Sequence, residues 1–147
     1  MRRSFALFIL VLAALAAAAP ASARPDLTFV VGHGTLGTGP IVVSVSAFDF
    51  GGTVGGFLRS DNGGGFVFVS RVTCVRQVGE RVLVGGVIIR SPSPATLGHT
   101  SMIDLEENGP APDRLGIAFS SSGLDSCPDI EPPLHEVTMG NFFVFSA

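Results

Sequence analysis

The sequence has no tryptophan, no tyrosine and no lysine, and it has only two cysteines; charged residues make up just 14% of it. Each shortage excludes something. With no lysine and with its arginines scattered along the chain, there is no basic stripe to grip a phosphate backbone, so nucleic acid is not an expected partner. The same lack argues against docking on an anionic membrane. Carbohydrate and many protein-binding surfaces use aromatic residues that also hydrogen-bond. Here the rings are twelve phenylalanines, which serve packing or an apolar pocket. Beyond Ala23 no stretch carries apolar residues at helical spacing for three turns, which excludes a helical fold.

The first segment does have a clear organisation. Arg2 and Arg3 precede a Leu/Ala/Phe run from Phe5 to Ala19, followed by Pro20 and the small residues Ala21-Ser22-Ala23. Basic, apolar and small residues in that order describe a secretory signal peptide over residues 1–23, cleaved after Ala23. The run is shorter than the ~20 residues a spanning helix needs, which weighs against a retained anchor. Arg2-Arg3-Ser4-Phe5 partly matches a twin-arginine signal, and a general export signal explains it equally well. The expected location is therefore secreted or periplasmic, with no membrane association after cleavage. Residues 24–147 then form one domain carrying seven arginines against twelve acidic residues, a net charge of −5.

Cys74 and Cys127 are an even pair in an exported chain, which favours one disulfide; two free thiols are the alternative. Nineteen glycines and ten prolines punctuate the chain, and the short apolar runs between them read as antiparallel strands and tight turns. The central feature is a hairpin over Gly65–Arg90 turning at Gly79-Glu80, which places Cys74 opposite Gly85. A glycine there leaves room for a second sulfur. The face shared with Cys74, holding Phe66, Phe68, Val72, Leu83, Val87 and Ile89, is expected in the core.

Around this hairpin the pattern predicts strands at Leu27–Val31, Ile41–Phe50, about Phe57 and Leu58, His99–Glu106, Asp113–Ser121 and Asn141–Ser146. Residues 32–40, 91–98 and 123–139 read as links. About eight strands with apolar first and last members suit an all-β antiparallel meander closing into a barrel, with a two-sheet sandwich as the alternative.

Val72-Thr73-Cys74-Val75, Val78-Gly79 and Val84-Gly85-Gly86-Val87 resemble a module of secreted bacterial proteins of unknown function. In that module a V-T-C strand turns at glycine and returns through a Gly-Gly pair. Phe66-Val67-Phe68, Asp104, Gly109-Pro110 and Asp113 match its flanking points, whereas Val82 stands where the module has alanine. The resemblance implies an exported all-β architecture and brings no activity with it.

Candidate chemistry is sparse. No Gly-x-Ser-x-Gly elbow is present, and His33, His99 and His135 stand far apart beside turns or strand ends, as ordinary loop histidines do. Asp104, Glu106, Glu107 and Asp113 flank one turn without the spacing of a calcium loop. Asp129, Glu131, His135 and Glu136 lie in a proline-rich acidic segment that reads more simply as solvated loop. The expectation is a non-enzymatic domain with a structural or interaction role and no cofactor, metal or catalytic residue. The alternative is a carrier of a small apolar ligand in a barrel interior lined by Phe29, Phe48, Phe66, Phe68 and Phe143. A small apolar ligand and an extracellular protein are the partners that remain.

Overall fold

The computed structural model describes residues 26–37, 39–121, 127, 130 and 132–147. The proposed signal peptide, together with Asp129 and Glu131, lies outside them. The strands are β1 (Leu27–Leu36), β2 (Ile41–Phe50), β3 (Thr53–Asp61), β4 (Val67–Val78), β5 (Arg81–Arg90), β6 (Thr100–Glu106), β7 (Arg114–Ser120) and β8 (His135–Ser146). Each pairs antiparallel with the next, and β8 returns to β1, so the meander closes into a barrel and not a sandwich.

Two stretches expected as links are strand. β1 continues through Gly32-His33-Gly34, because the buried Phe142 ring lies across it: a Cβ at Gly32 would stand 2.8 Å from Phe142 Cδ1, and one at Gly34 2.8 Å from Cε2. The glycines are there to receive a ring rather than to make a turn. β8 likewise begins at His135 instead of Asn141, so the acidic link ends earlier than expected. β3 also extends well beyond Phe57 and Leu58 at both ends.

The hairpin β4–β5 turns at Gly79-Glu80, with Val78 opposite Arg81 and Cys74 opposite Gly85, as its sequence implies. Its faces differ from expectation. The register shifts between Val69 and Ser70 and again between Val72 and Cys74, and a bulge reverses which residues face inward beyond it. Val72, Val75, Val82, Val84 and Ile88 therefore face the interior, while Cys74, Leu83 and Val87 face out and Ile89 is 48% exposed. A strict period of two, carried through both bulges, misplaces that half of the hairpin.

Elsewhere the alternation is regular except on β8, where the register against β1 shifts at Thr138 and brings Val137 inward. Val30, Val43, Val45, Ala47, Leu58, Ile103, Leu105, Leu115, Val137 and Phe142 fill the interior with the hairpin's inward residues. Two buried hydroxyls, Ser70 and Ser101, satisfy one another across it at 2.6 Å. The middle of the barrel is thus a packed core, as small barrels usually are.

Two devices fasten the ends. Cys74 and Cys127 form the disulfide, with Cα atoms 5.3 Å apart and 53 positions separating them in sequence. The bridge sits outside the barrel wall, with Cys127 Sγ 3.8 Å from the Leu83 carbonyl oxygen, and Leu83 and Met102 beneath this side are buried although they face outward. Asp113, 4% exposed, accepts hydrogen bonds from the backbone N–H of Asn108 at 3.2 Å and of Phe142 at 2.9 Å. That carboxylate ties the β6–β7 turn to β8 where the ladder is thinnest, since β7 and β8 pair only at Arg114–Glu136 and Leu115–His135.

Candidate functional site

The ten phenylalanines beyond the expected signal peptide fall into three groups. Phe142 is in the core. Phe66, Phe68 and Phe119 stand at one mouth of the barrel. The remaining six, Phe29, Phe48, Phe50, Phe57, Phe143 and Phe145, are on the outer wall and between 38% and 60% exposed.

This corrects the interior assignment of Phe29, Phe48 and Phe143. Each is next to a fully buried inward residue, Val30, Ala47 and Phe142 respectively, so the pleat turns its own ring outward. Alternation separates the two faces of a strand but does not say which is inner when both are apolar, as in Leu27-Thr28-Phe29-Val30-Val31. Phe50, Phe57 and Phe145, which belong to the same outer surface, escape sequence reasoning for that reason.

The outer rings form one continuous patch across β8, β1, β2 and β3. Phe145, Phe29 and Phe48 make one cross-strand row, ending over Gly55, where an added Cβ would meet the Phe48 ring at 2.8 Å. Phe143, Val31, Ser46 and Phe57 make the adjacent row, and Leu27 pairs with Phe50 beside them. At about 200 Å² for a fully exposed ring, the six expose on the order of 600 Å² together. That exceeds the scattered single residues of an ordinary surface and reaches the size of patches that mark interaction sites.

The second feature is a cup of about 380 Å³ at the mouth, lined among the described residues by Leu36, Ile41, Ser60, Asn62, Phe66, Phe68, Ile117, Phe119, Pro133 and His135. It exists because β8 stays with β7 for only two residue pairs. Ile117 and Phe119 continue upward past the start of β8, and Pro132 and Pro133 cross the wall at Gly116, whose added Cβ would lie 2.8–3.0 Å from their atoms. Three rings form one side: Phe66 and Phe68 meet edge to face at 5.2 Å between centroids, and Phe68 and Phe119 are tilted at 5.4 Å. Phe66 and Phe68 are thus the two members of the expected ligand set that the structure brings together. Phe119, Ile117, Leu36 and Ile41 were missed; Leu36, Ile41 and Phe119 stand at strand ends that closure of the barrel gathers into one mouth, and Ile117 joins them because β7 runs past the start of β8.

The acidic residues considered for calcium are engaged with the protein itself. Asp104 is fully buried and 2.7 Å from the Arg81 guanidinium, and Glu106 faces Arg114 at 3.6 Å. Glu107 accepts from the Val144 N–H at 2.8 Å, and Asp113 holds the turn described above. Among the described residues no three His, Cys, Asp or Glu side chains converge as a metal site. The histidines are dispersed over β1, the approach to β6 and the start of β8, and His135 borders the cup. Among the described residues no helix is long and apolar enough to cross a membrane. No protein-family model matches this chain, nor does any curated protein or solved structure.

Proposed function

We propose that the protein is an exported, non-enzymatic β-domain with an interaction role, and that its phenylalanine face pairs with a second copy of the same chain. The observation that carries this is the patch of six outward rings on β8, β1, β2 and β3. Exposing that much apolar surface costs solubility unless something covers it. A stable interface takes about 800 Å² from each partner, and the six rings with Val31, 37% exposed, supply the greater part of that area.

Composition favours self-pairing. Homodimer interfaces have the more apolar centres, and a face whose central rows hold only Ser46 as a polar side chain leaves little unsatisfied when it meets its own copy. Barrel closure removes free strand edges, so the contact is wall to wall. Export is supported by the signal-like first segment, by the V-T-C hairpin's likeness to secreted modules, and by a disulfide that suits an oxidising compartment. Action by binding and not by catalysis is supported by carboxylates already committed to protein donors and by the dispersed histidines.

Light scattering on the eluting peak of a size-exclusion column tests this reading. The expected result is a dimer for the exported chain and, for Phe57→Glu/Phe143→Glu, a monomer that keeps the strand signal in circular dichroism and whose melting temperature, unlike that of the wild type, does not depend on concentration. A wild-type protein that stays monomeric at high micromolar concentration overturns it, as does a dimer that the double substitution leaves intact.

A further inference from the structure

We propose that the cup at the barrel mouth is a binding site for a neutral, largely apolar molecule of about a dozen heavy atoms bearing one hydrogen-bonding group, a size set by comparison with apolar cavities. This is independent of the outer face and goes beyond pairing of the chain with itself.

The size follows from the volume. An apolar cavity of about 150 Å³ holds benzene, and the cup is about 380 Å³. Its chemistry follows from the walls: Phe66, Phe68 and Phe119 present ring faces and edges in contact with one another, a surface that receives a planar apolar body edge to face. The described lining contains no arginine, aspartate or glutamate, so an ionised ligand would lose hydration there with no permanently charged side chain to pair with. Ser60 and His135 add hydrogen-bonding groups to the lining, suited to one hydroxyl or carbonyl. Asn62 has a structural task, since its Oδ1 accepts from the Gly64 and Phe66 N–H groups and so fixes the turn that carries Phe66.

The pocket is also built into the topology. Because the β7–β8 ladder stops after two pairs, the inward residues Ile117 and Phe119 line open space where a fully zipped barrel would pack β8 side chains. Few convergent polar groups in a mainly apolar concavity at a barrel mouth is the usual form of a small-molecule site.

Naphthol, a neutral bicyclic phenol, is the probe, and its emission is read without background because the chain has no tryptophan or tyrosine. Titration of the full exported protein is expected to saturate at a single site per chain. Phe119→Ala should weaken binding by about fivefold, the worth of one aromatic contact. Ser60→Leu, which puts a branched side chain into the cup, should abolish it, whereas Phe143→Ser on the outer wall should leave it unchanged. Naphthalenesulfonate, of similar shape but charged, should bind more weakly than naphthol. Absence of saturable binding overturns the proposal. So does binding that survives both cup substitutions, binding that Phe143→Ser removes, or equal affinity for the sulfonate.

Discussion

Removing the disulfide should cost this barrel a large part of its stability. Cys74 and Cys127 are 53 positions apart, and a cross-link closing a loop of that length withdraws about 4 kcal/mol of chain entropy from the unfolded state. For a domain of this size each kcal/mol moves the melting temperature by about 4 °C, which gives a fall of about 15 °C. The perturbation is Cys74→Ser/Cys127→Ser, so that neither thiol is left to react, compared with the oxidised protein by far-ultraviolet circular dichroism. The loss has a second signature. The bridge holds Cys127 over the outer side of β5 and the neighbouring β6, where Leu83 and Met102 are 2% and 1% exposed, so release should uncover apolar surface and raise binding of a hydrophobic dye while the strand signal persists. A fall of less than about 5 °C would refute the entropy reasoning, since the tether would then be worth only about 1 kcal/mol.

Other substitutions probe separate joints. Phe142→Ala empties the space over Gly32 and Gly34 and should destabilise by about 4 kcal/mol in a denaturant titration, the usual cost of deleting a buried ring. Asp113→Ala leaves the buried Phe142 N–H without its acceptor and should cost about 2 kcal/mol; Asp113→Asn, which keeps one oxygen, should cost less in the same titration. Arg81→Met removes the guanidinium 2.7 Å from the fully buried Asp104 carboxylate and should cost about 3 kcal/mol by thermal melting, as breaking a buried ion pair does. Gly85→Ala would set a Cβ 2.7 Å from Cys74 Sγ, so the refolded oxidised protein should show titratable free thiol where the wild type shows little.

Architecture was legible in the sequence where local chemistry decides it. The turn at Gly79-Glu80, the Cys74–Gly85 pairing and the antiparallel order rest on neighbours in the chain or on turn residues of known geometry, and the cysteine partnership on there being only two cysteines to pair. Where the cause is distant the sequence misleads. Gly32 and Gly34 look like a turn until Phe142, more than a hundred residues later, supplies the ring that needs them. The hairpin's two bulges, at Thr73 in β4 and at Ile89 in β5, fall at residues whose side chains do not announce one. The aromatic face was hidden by a different ambiguity: a strand apolar on both sides carries no mark of which side is inner. Only closure of β8 on β1 turns Phe29, Phe48 and Phe143 outward and gathers Phe66, Phe68 and Phe119 at the mouth.

The division of phenylalanines into outer wall, cup and core is most directly tested by fluorine NMR of the exported chain labelled with fluorophenylalanine, comparing solvent isotope shifts in light and heavy water at rising protein concentration. The expected spectrum has one resonance insensitive to solvent, Phe142, and six outer-wall resonances that respond to solvent when dilute and lose that response together as the protein pairs. The Phe66, Phe68 and Phe119 signals should shift with naphthol and not with concentration. Outer-wall resonances shielded from solvent even at high dilution, or cup resonances that move with concentration and ignore naphthol, would contradict that division.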